Sequence, residues 1–199
     1  MQEVITVEKR IFLTGSEEET RSRLIREALH EKLAWAGGFV IAAESGESGY
    51  AEGYALRPAA AAAGVEGLPS RRFLDCRSWP PQRDNEVFRV FGAELLREAA
   101  LYPFAVLDEI GGYETLIPQF REALEALLQS TLPLIGALKT PEEADAWRQL
   151  FGLGERMTQQ TERLRASLAS DPDTRILDLN ETPEAEALAI LRSWVAAFA

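Results

Sequence analysis

Two places in the 199-residue chain combine residue types and spacings that could do chemistry. The first is Asp108-Glu109, consecutive carboxylates that end the apolar run Phe104-Ala105-Val106-Leu107. Such a run is expected to be a strand buried on both faces of a parallel sheet. Acids at its carboxyl end lie where open α/β sheets bind ligands. The second is the stretch Gly15–Ser22, which follows another apolar run, Ile11–Thr14. A strand that turns through glycine into a helix aims backbone N–H groups at one point, an arrangement suited to phosphate. Glu17, Glu18 and Glu19 stand in the same stretch, and with Asp108 they suggest a different chemistry, chelation of a divalent metal ion by clustered acids. Little else is on offer. His30 is the only histidine and Cys76 the only cysteine, so neither a Ser-His-Asp nor a Cys-His arrangement is credible. Cys76 can form no internal disulfide and reads as a small buried side chain. No cluster has the spacing of zinc ligands.

The elements that must position these groups follow from periodicity. Leu24, Ile25, Ala28, Leu29 and Leu33 recur at helical spacing, which predicts a helix from about Glu17 to Trp35, stopped by Gly37-Gly38. Phe39–Ala43 and Tyr50–Leu56 are predicted strands of a hairpin turning at Gly46–Gly49. Pro58–Pro69 is expected to be a loop, Arg72–Leu74 a short strand, and Trp79-Pro80-Pro81 extended. A helix is predicted from about Asn85 to Leu101, with Val87, Phe88, Val90, Phe91, Leu95 and Leu96 inward. Further helices are expected at Ile117–Gln129, Pro141–Phe151 and Glu155–Ser170, strands at Leu132–Leu138 and Thr174–Leu179, and a final helix from Pro183 to near Phe198. All four tryptophans are expected to pack. The alternation implies parallel βαβ units in an α/β fold. Residues 1–199 are expected to form a single domain, with 139–170 as a helical elaboration.

The formal net charge of −11 argues against nucleic acid or an anionic membrane as a partner. No run of 18 apolar residues is present, so no membrane span is expected. Met1–Arg10 lacks an apolar signal core, and a cytoplasmic setting is expected.

The segment Phe104–Gly111, reading Phe-Ala-Val-Leu-Asp-Glu-Ile-Gly, resembles a Walker B strand. Taken with Ile11–Gly15, Gly37-Gly38-Phe39, Gly53-Tyr54, Tyr113-Glu114 and Pro133-Leu134-Ile135-Gly136, it makes roughly residues 10–138 resemble the small P-loop nucleoside-triphosphatase family of archaea and bacteria. The resemblance implies a three-layer P-loop NTPase-like fold, mostly parallel, with a β-hairpin insertion. It also implies Mg-dependent hydrolysis of a nucleoside triphosphate to the diphosphate and phosphate. Asp108 and Ser22 would hold the magnesium ion, Glu109 would orient or activate water, and Gly15, Ser16, Thr20, Arg21 and Ser22 would form the phosphate loop.

That loop departs from the pattern Gly-x-x-x-x-Gly-Lys-Ser/Thr. Thr20 replaces the second glycine and Arg21 the lysine, while the spacing and Ser22 remain. Each of Glu17, Glu18 and Glu19 would repel a triphosphate by roughly 1–4 kcal/mol at about 4 Å. Ser16 and Glu19 have the spacing of a capping box, which would wind the helix through the loop. Two readings follow. One is a P-loop relative with weak or absent hydrolysis, little nucleotide affinity, and a binding or regulatory role toward a protein partner. The other is an active triphosphatase with Arg21 in the lysine's role. Arg71, Arg72 and Arg77, near Trp79, could touch a nucleotide or an acidic partner. Arg148, Arg156, Arg163 and Arg165 could serve a lid, or simply make a solvated helix face.

Overall fold

The computed structural model describes residues 8–46 and 49–199. The expectation for the first residues, and part of the predicted Gly46–Gly49 turn, lie outside that range. Among the described residues eight strands form one sheet, in the order β5 (Gln82–Arg83), β4 (Arg71–Asp75), β3 (Ala51–Pro58), β2 (Ala36–Ser45), β6 (Phe104–Ile110), β7 (Leu134–Leu138), β1 (Arg10–Thr14), β8 (Thr174–Asp178). Three of them are buried along their whole length: β1, β6 and β7. β1 pairs in parallel with β7 and with β8, and β6 pairs in parallel with β7 and with β2. Beyond β2 the sheet turns antiparallel through β3, β4 and β5. The expected α/β, mostly parallel architecture with a hairpin is therefore present, and the hairpin extends into a meander.

Helices cover both faces because each carries one apolar stripe. α1 (Glu18–Leu29) buries Leu24, Ile25, Ala28 and Leu29, sharing a core with Leu191 and Trp194 of α6 (Glu184–Phe198). On the other face, α2 (Ala93–Glu98), α3 (Pro118–Gln129), α4 (Pro141–Leu150) and α5 (Arg156–Ser170) share a second core built around Phe39, Phe88 and Phe120. α3 opens with Pro118 and turns Phe120, Ala123, Leu124 and Leu127 inward. Among the described residues no helix is long and apolar enough to cross a membrane.

Several expectations are corrected. The first helix ends at Leu29 and continues as a 3₁₀ segment to Trp35. Gly37-Gly38 does not stop it but lies inside β2, where a Cβ on Gly38 would fall 2.2 Å from the Val106 carbonyl. The close approach of β2 to β6 accounts for Gly38, and a Cβ on Gly37 would fall 2.8 Å from the Ala99 Cα and 2.9 Å from the Tyr102 ring, so packing explains both glycines better than a helix stop does. Val90 was expected inward and is 53% exposed. Residues Val87–Gly92 wind as a π-helix, which advances fewer degrees per residue than an α-helix and so rotates Val90 out of the stripe. Trp194 packs as expected and Trp147 partly, but Trp35 is 68% and Trp79 82% exposed. Cys76 is half-buried at the margin of the core.

Candidate functional site

The carboxyl ends of β1, β6 and β7 converge on a buried cluster of charge. β6 delivers Asp108 and Glu109, joined by a cis peptide bond. β7 delivers Lys139, the first residue beyond the strand. α1 delivers Arg21 and Ser22. Arg21 is 0% and Glu109 2% exposed. The Arg21 guanidinium donates to Glu109 through Nη2, and the same nitrogen meets Glu143 of α4 at 2.7 Å. Its Nη1 donates to the carbonyls of Gly15 (2.9 Å) and Ser16 (2.7 Å). Lys139 Nζ donates to the other Glu109 oxygen and lies 5.1 Å from the centre of the Trp147 ring. Ser22 Oγ donates to Asp108 Oδ1 at 2.6 Å.

The turn between β1 and α1 consists of Gly15, Ser16 and Glu17 alone, because α1 is wound from Glu18. Thr20 lies in the first helical turn, its N–H donating to the Glu17 carbonyl at 3.0 Å. The expected capping box does not form. Glu17 occupies the cap position without a side-chain cap bond, and Ser16 adopts a positive φ of 55° that turns it away from that role. The N–H of Ser16 is instead taken by Asn180 Oδ1, 3.2 Å away, from the segment after β8. A Cβ on Gly15 would meet Asp178 Oδ1 at 2.2 Å, so only glycine lets this segment close over the turn. Glu17 and Glu19 point to solvent and Glu18 is half-buried facing Glu109 and Lys139.

Burial governs the electrostatics. Desolvation pushes Asp108 up to about 6, Ser22's hydrogen bond opposing it. It likewise raises Glu18, with Glu109 adding to the effect. Burial disfavours the charges on Arg21 and Lys139, but neighbouring carboxylates, Glu109 first, outweigh it and both stay raised. Glu114 is also buried and raised by desolvation, and its Oε1 accepts the N–H groups of Gly111 (2.8 Å) and Gly112 (2.7 Å). It thereby fixes the chain leaving Glu109. Sequence reading missed Lys139, Glu143, Glu114 as a buried group, and Asn180. Of these, Lys139 alone carried a signal: a cation directly after an apolar strand, in the same relation to β7 as Asp108-Glu109 to β6.

α4 is held over the cluster by its own capping box. Thr140 Oγ1 accepts from the Glu143 N–H at 3.1 Å, and Glu143 Oε2 accepts from the Thr140 N–H at 2.7 Å. Thr140→Ala is expected to cost about 1 kcal/mol, read as a lowered urea midpoint with an unchanged slope.

The other candidates lie elsewhere. Arg72 pairs with Glu44, Arg77 with Asp75 at 2.5 Å, and Arg71 stands over Phe91, so this arginine group faces its own neighbours. Arg165 donates to Thr14 Oγ1 (3.2 Å) and the Lys139 carbonyl (2.6 Å), bracing the site, whereas Arg148 pairs with Asp145 on α4. Arg156 and Arg163 face a groove away from the cluster. Among the described residues no group of three or more His, Cys, Asp or Glu side chains is placed to hold a metal ion, so Glu17, Glu18, Glu19 and Asp108 do not form the suggested chelate.

A family model described as NTPase matches residues 10–169. The chain belongs to this NTPase family. The match runs through α5, well past the residue 138 at which the resemblance in the bare sequence fades. A curated relative, the nucleoside-triphosphatase THEP1 of Methanosarcina acetivorans, is 31% identical over 134 residues, covering 65% of this chain and 75% of the relative. The crystal structure of THEP1 from the hyperthermophile Aquifex aeolicus shares the fold, with a TM-score of 0.61 at 14% identity over 95% of this chain and 98% of that one. Ser22 Oγ and Asp108 Oδ1, set side by side, are oxygen donors of the kind a magnesium ion takes. An ion held there would neutralise phosphate oxygens.

Proposed function

We propose that this NTPase-family chain has a closed phosphate seat, hydrolyses Mg-nucleotide weakly or not at all, and acts in the cytoplasm through binding. The winding of α1 from Glu18 carries the reading. A phosphate-binding loop needs free N–H groups and a free cation converging on one point. Here the Arg21 guanidinium already holds two loop carbonyls and two carboxylates, and the Ser16 N–H holds Asn180. Glu18 adds a third carboxylate beside Glu109. A triphosphate would have to displace all of these partners while facing that charge.

Thermal unfolding with and without 5 mM Mg-ATP or Mg-GTP tests the proposal. A ligand present at about 100 times its Kd adds about 2.7 kcal/mol of stability, a shift of several degrees for a domain of this size. The expected shift is below one degree, with no phosphate release above blank. A shift of several degrees would overturn the reading.

The Ser22–Asp108 pair beside Glu109 favours a second reading, in which the chain is an active triphosphatase and Arg21 swings onto phosphate. In that case Glu109→Gln should abolish phosphate release while nucleotide still shifts the melting temperature.

A further inference from the structure

On the face of the sheet that carries α3 and α5, the two helices do not close on each other. Neighbouring helices on one sheet face ordinarily interdigitate at about 8–10 Å. Here a groove of about 1010 Å³ runs between them from Thr115 to Asp173. Leu128 of α3 and Leu164 of α5 line it half-buried, and Leu124 and Leu168 lie buried in the core beneath them. The groove's α5 wall is a polar stripe, Arg156, Gln160, Arg163 and Ser167, at intervals of four, three and four residues, so the whole stripe faces one way.

Charge distinguishes this groove from the rest of the molecule. The chain carries −11 overall, but the groove is lined by Lys9, Arg10, Arg121, Arg156 and Arg163 against Glu125, Asp171 and Asp173. Each of those acids already has a partner. Asp171 holds Arg10 at 2.6 Å, Asp173 holds Lys9 at 3.7 Å, and Glu125 lies 3.7 Å from Arg121. No ion pair within the described residues involves Arg156 or Arg163. The surplus charge in the groove is therefore positive, and it is concentrated on α5.

We propose that the α3–α5 groove docks an acidic amphipathic helix of a partner protein. The three features point to the same occupant. The half-buried Leu128 and Leu164 offer a narrow apolar strip to the apolar stripe of a helix, as in helix-in-groove recognition. The unpaired arginines meet its acids at the rim. The length also suits, because α3 alone has 12 residues, about 18 Å at 1.5 Å per residue. Extended nucleic acid would use the arginines but not the apolar strip. Thr161 of α5 donates to the Gly111 carbonyl at 3.0 Å, so the docking helix would press on the element that adjoins Glu109.

The inference is independent of the phosphate seat and is tested without nucleotide. The probe is a fluorescein-labelled peptide of about 14 residues with leucines at i, i+3, i+4 and i+7 and glutamates at the other positions. Fluorescence anisotropy on the full chain should give a Kd on the order of 10 μM at low salt, weakening as salt rises. The exposed double variant Arg156→Glu/Arg163→Glu should bind at least tenfold more weakly, with an unchanged circular dichroism spectrum. A scrambled peptide of the same composition should lose most of its affinity, since its leucines no longer share a face. The proposal fails if the peptide does not bind at 1 mM, or if the double variant binds it equally well. It also fails if the scrambled peptide or a short DNA duplex binds as tightly, or if sedimentation shows copies of this chain associating through the groove in a manner the double variant abolishes.

Discussion

Replacing Arg21 by alanine is expected to destabilise the fold by about 3–5 kcal/mol, the range for removing one partner of a buried ion pair. Arg21 is among the largest fully buried side chains, and its guanidinium is bonded to Glu109, Glu143 and the carbonyls of Gly15 and Ser16. Alanine would leave Glu109 buried with Lys139 as its single cation and strip two loop carbonyls of their donor. It would also open a cavity. Equilibrium urea unfolding at pH 7.5 measures the loss. Converting Glu109 to glutamine in the same chain removes the charge that alanine stranded, so the double variant should recover part of the stability. The magnitude tests whether the empty protein holds the guanidinium as firmly as these contacts imply. A cation held free for phosphate stabilises the empty protein little, and its removal would cost well under 1 kcal/mol. Arg21→Lys should fall between, since an ammonium keeps the charge but cannot fork to four acceptors.

Asp108→Asn is expected to act in the opposite direction. With a pKa of about 6 in the fold against about 3.9 unfolded, Asp108 contributes about 1.4 kcal/mol per pKa unit to the pH dependence of stability. A carboxyl raised in this way is best tolerated while protonated. Its stabilising contribution is complete below pH 4, fades between 4 and 6, and leaves a deficit of about 3 kcal/mol above 6. Asparagine keeps an oxygen to accept from Ser22 Oγ and carries no charge. The variant should therefore gain about 2–3 kcal/mol at pH 7.5 in EDTA and almost nothing at pH 4. An equal gain at both pH values would show that Asp108 is not desolvated in this way.

The parts of the molecule legible in the sequence are those in which a single segment carries its own signal. β1, β6 and β7 stood out because burial on both faces demands uninterrupted apolar runs, and Asp108-Glu109 because two acids end one of them. The loop's departure was legible too, since its spacing survived while its residues changed. What was not legible depends on pairings distant in the chain. Glu109 lies 88 residues from Arg21, and Glu143 lies 122 from it. Nothing local marks Glu143 as anything but the acid of a capping box, or Asn180 as anything but a turn residue. The missed exposure of Val90 has a different origin, because π-winding of Val87–Gly92 leaves no trace in a period assumed to be 3.6. Trp35 and Trp79 were misjudged on residue type alone, and both stand exposed.

The Asn180 amide at the Ser16 N–H has a consequence for any anion that approaches the turn. It behaves as a tethered competitor. Attached through the backbone, its oxygen is present near the Ser16 N–H donor at an effective concentration of millimolar or more, with no loss of translational freedom on rebinding. A free phosphate must outbid that concentration before its own attraction counts, so the turn discriminates against dilute anions even where its charge would admit them.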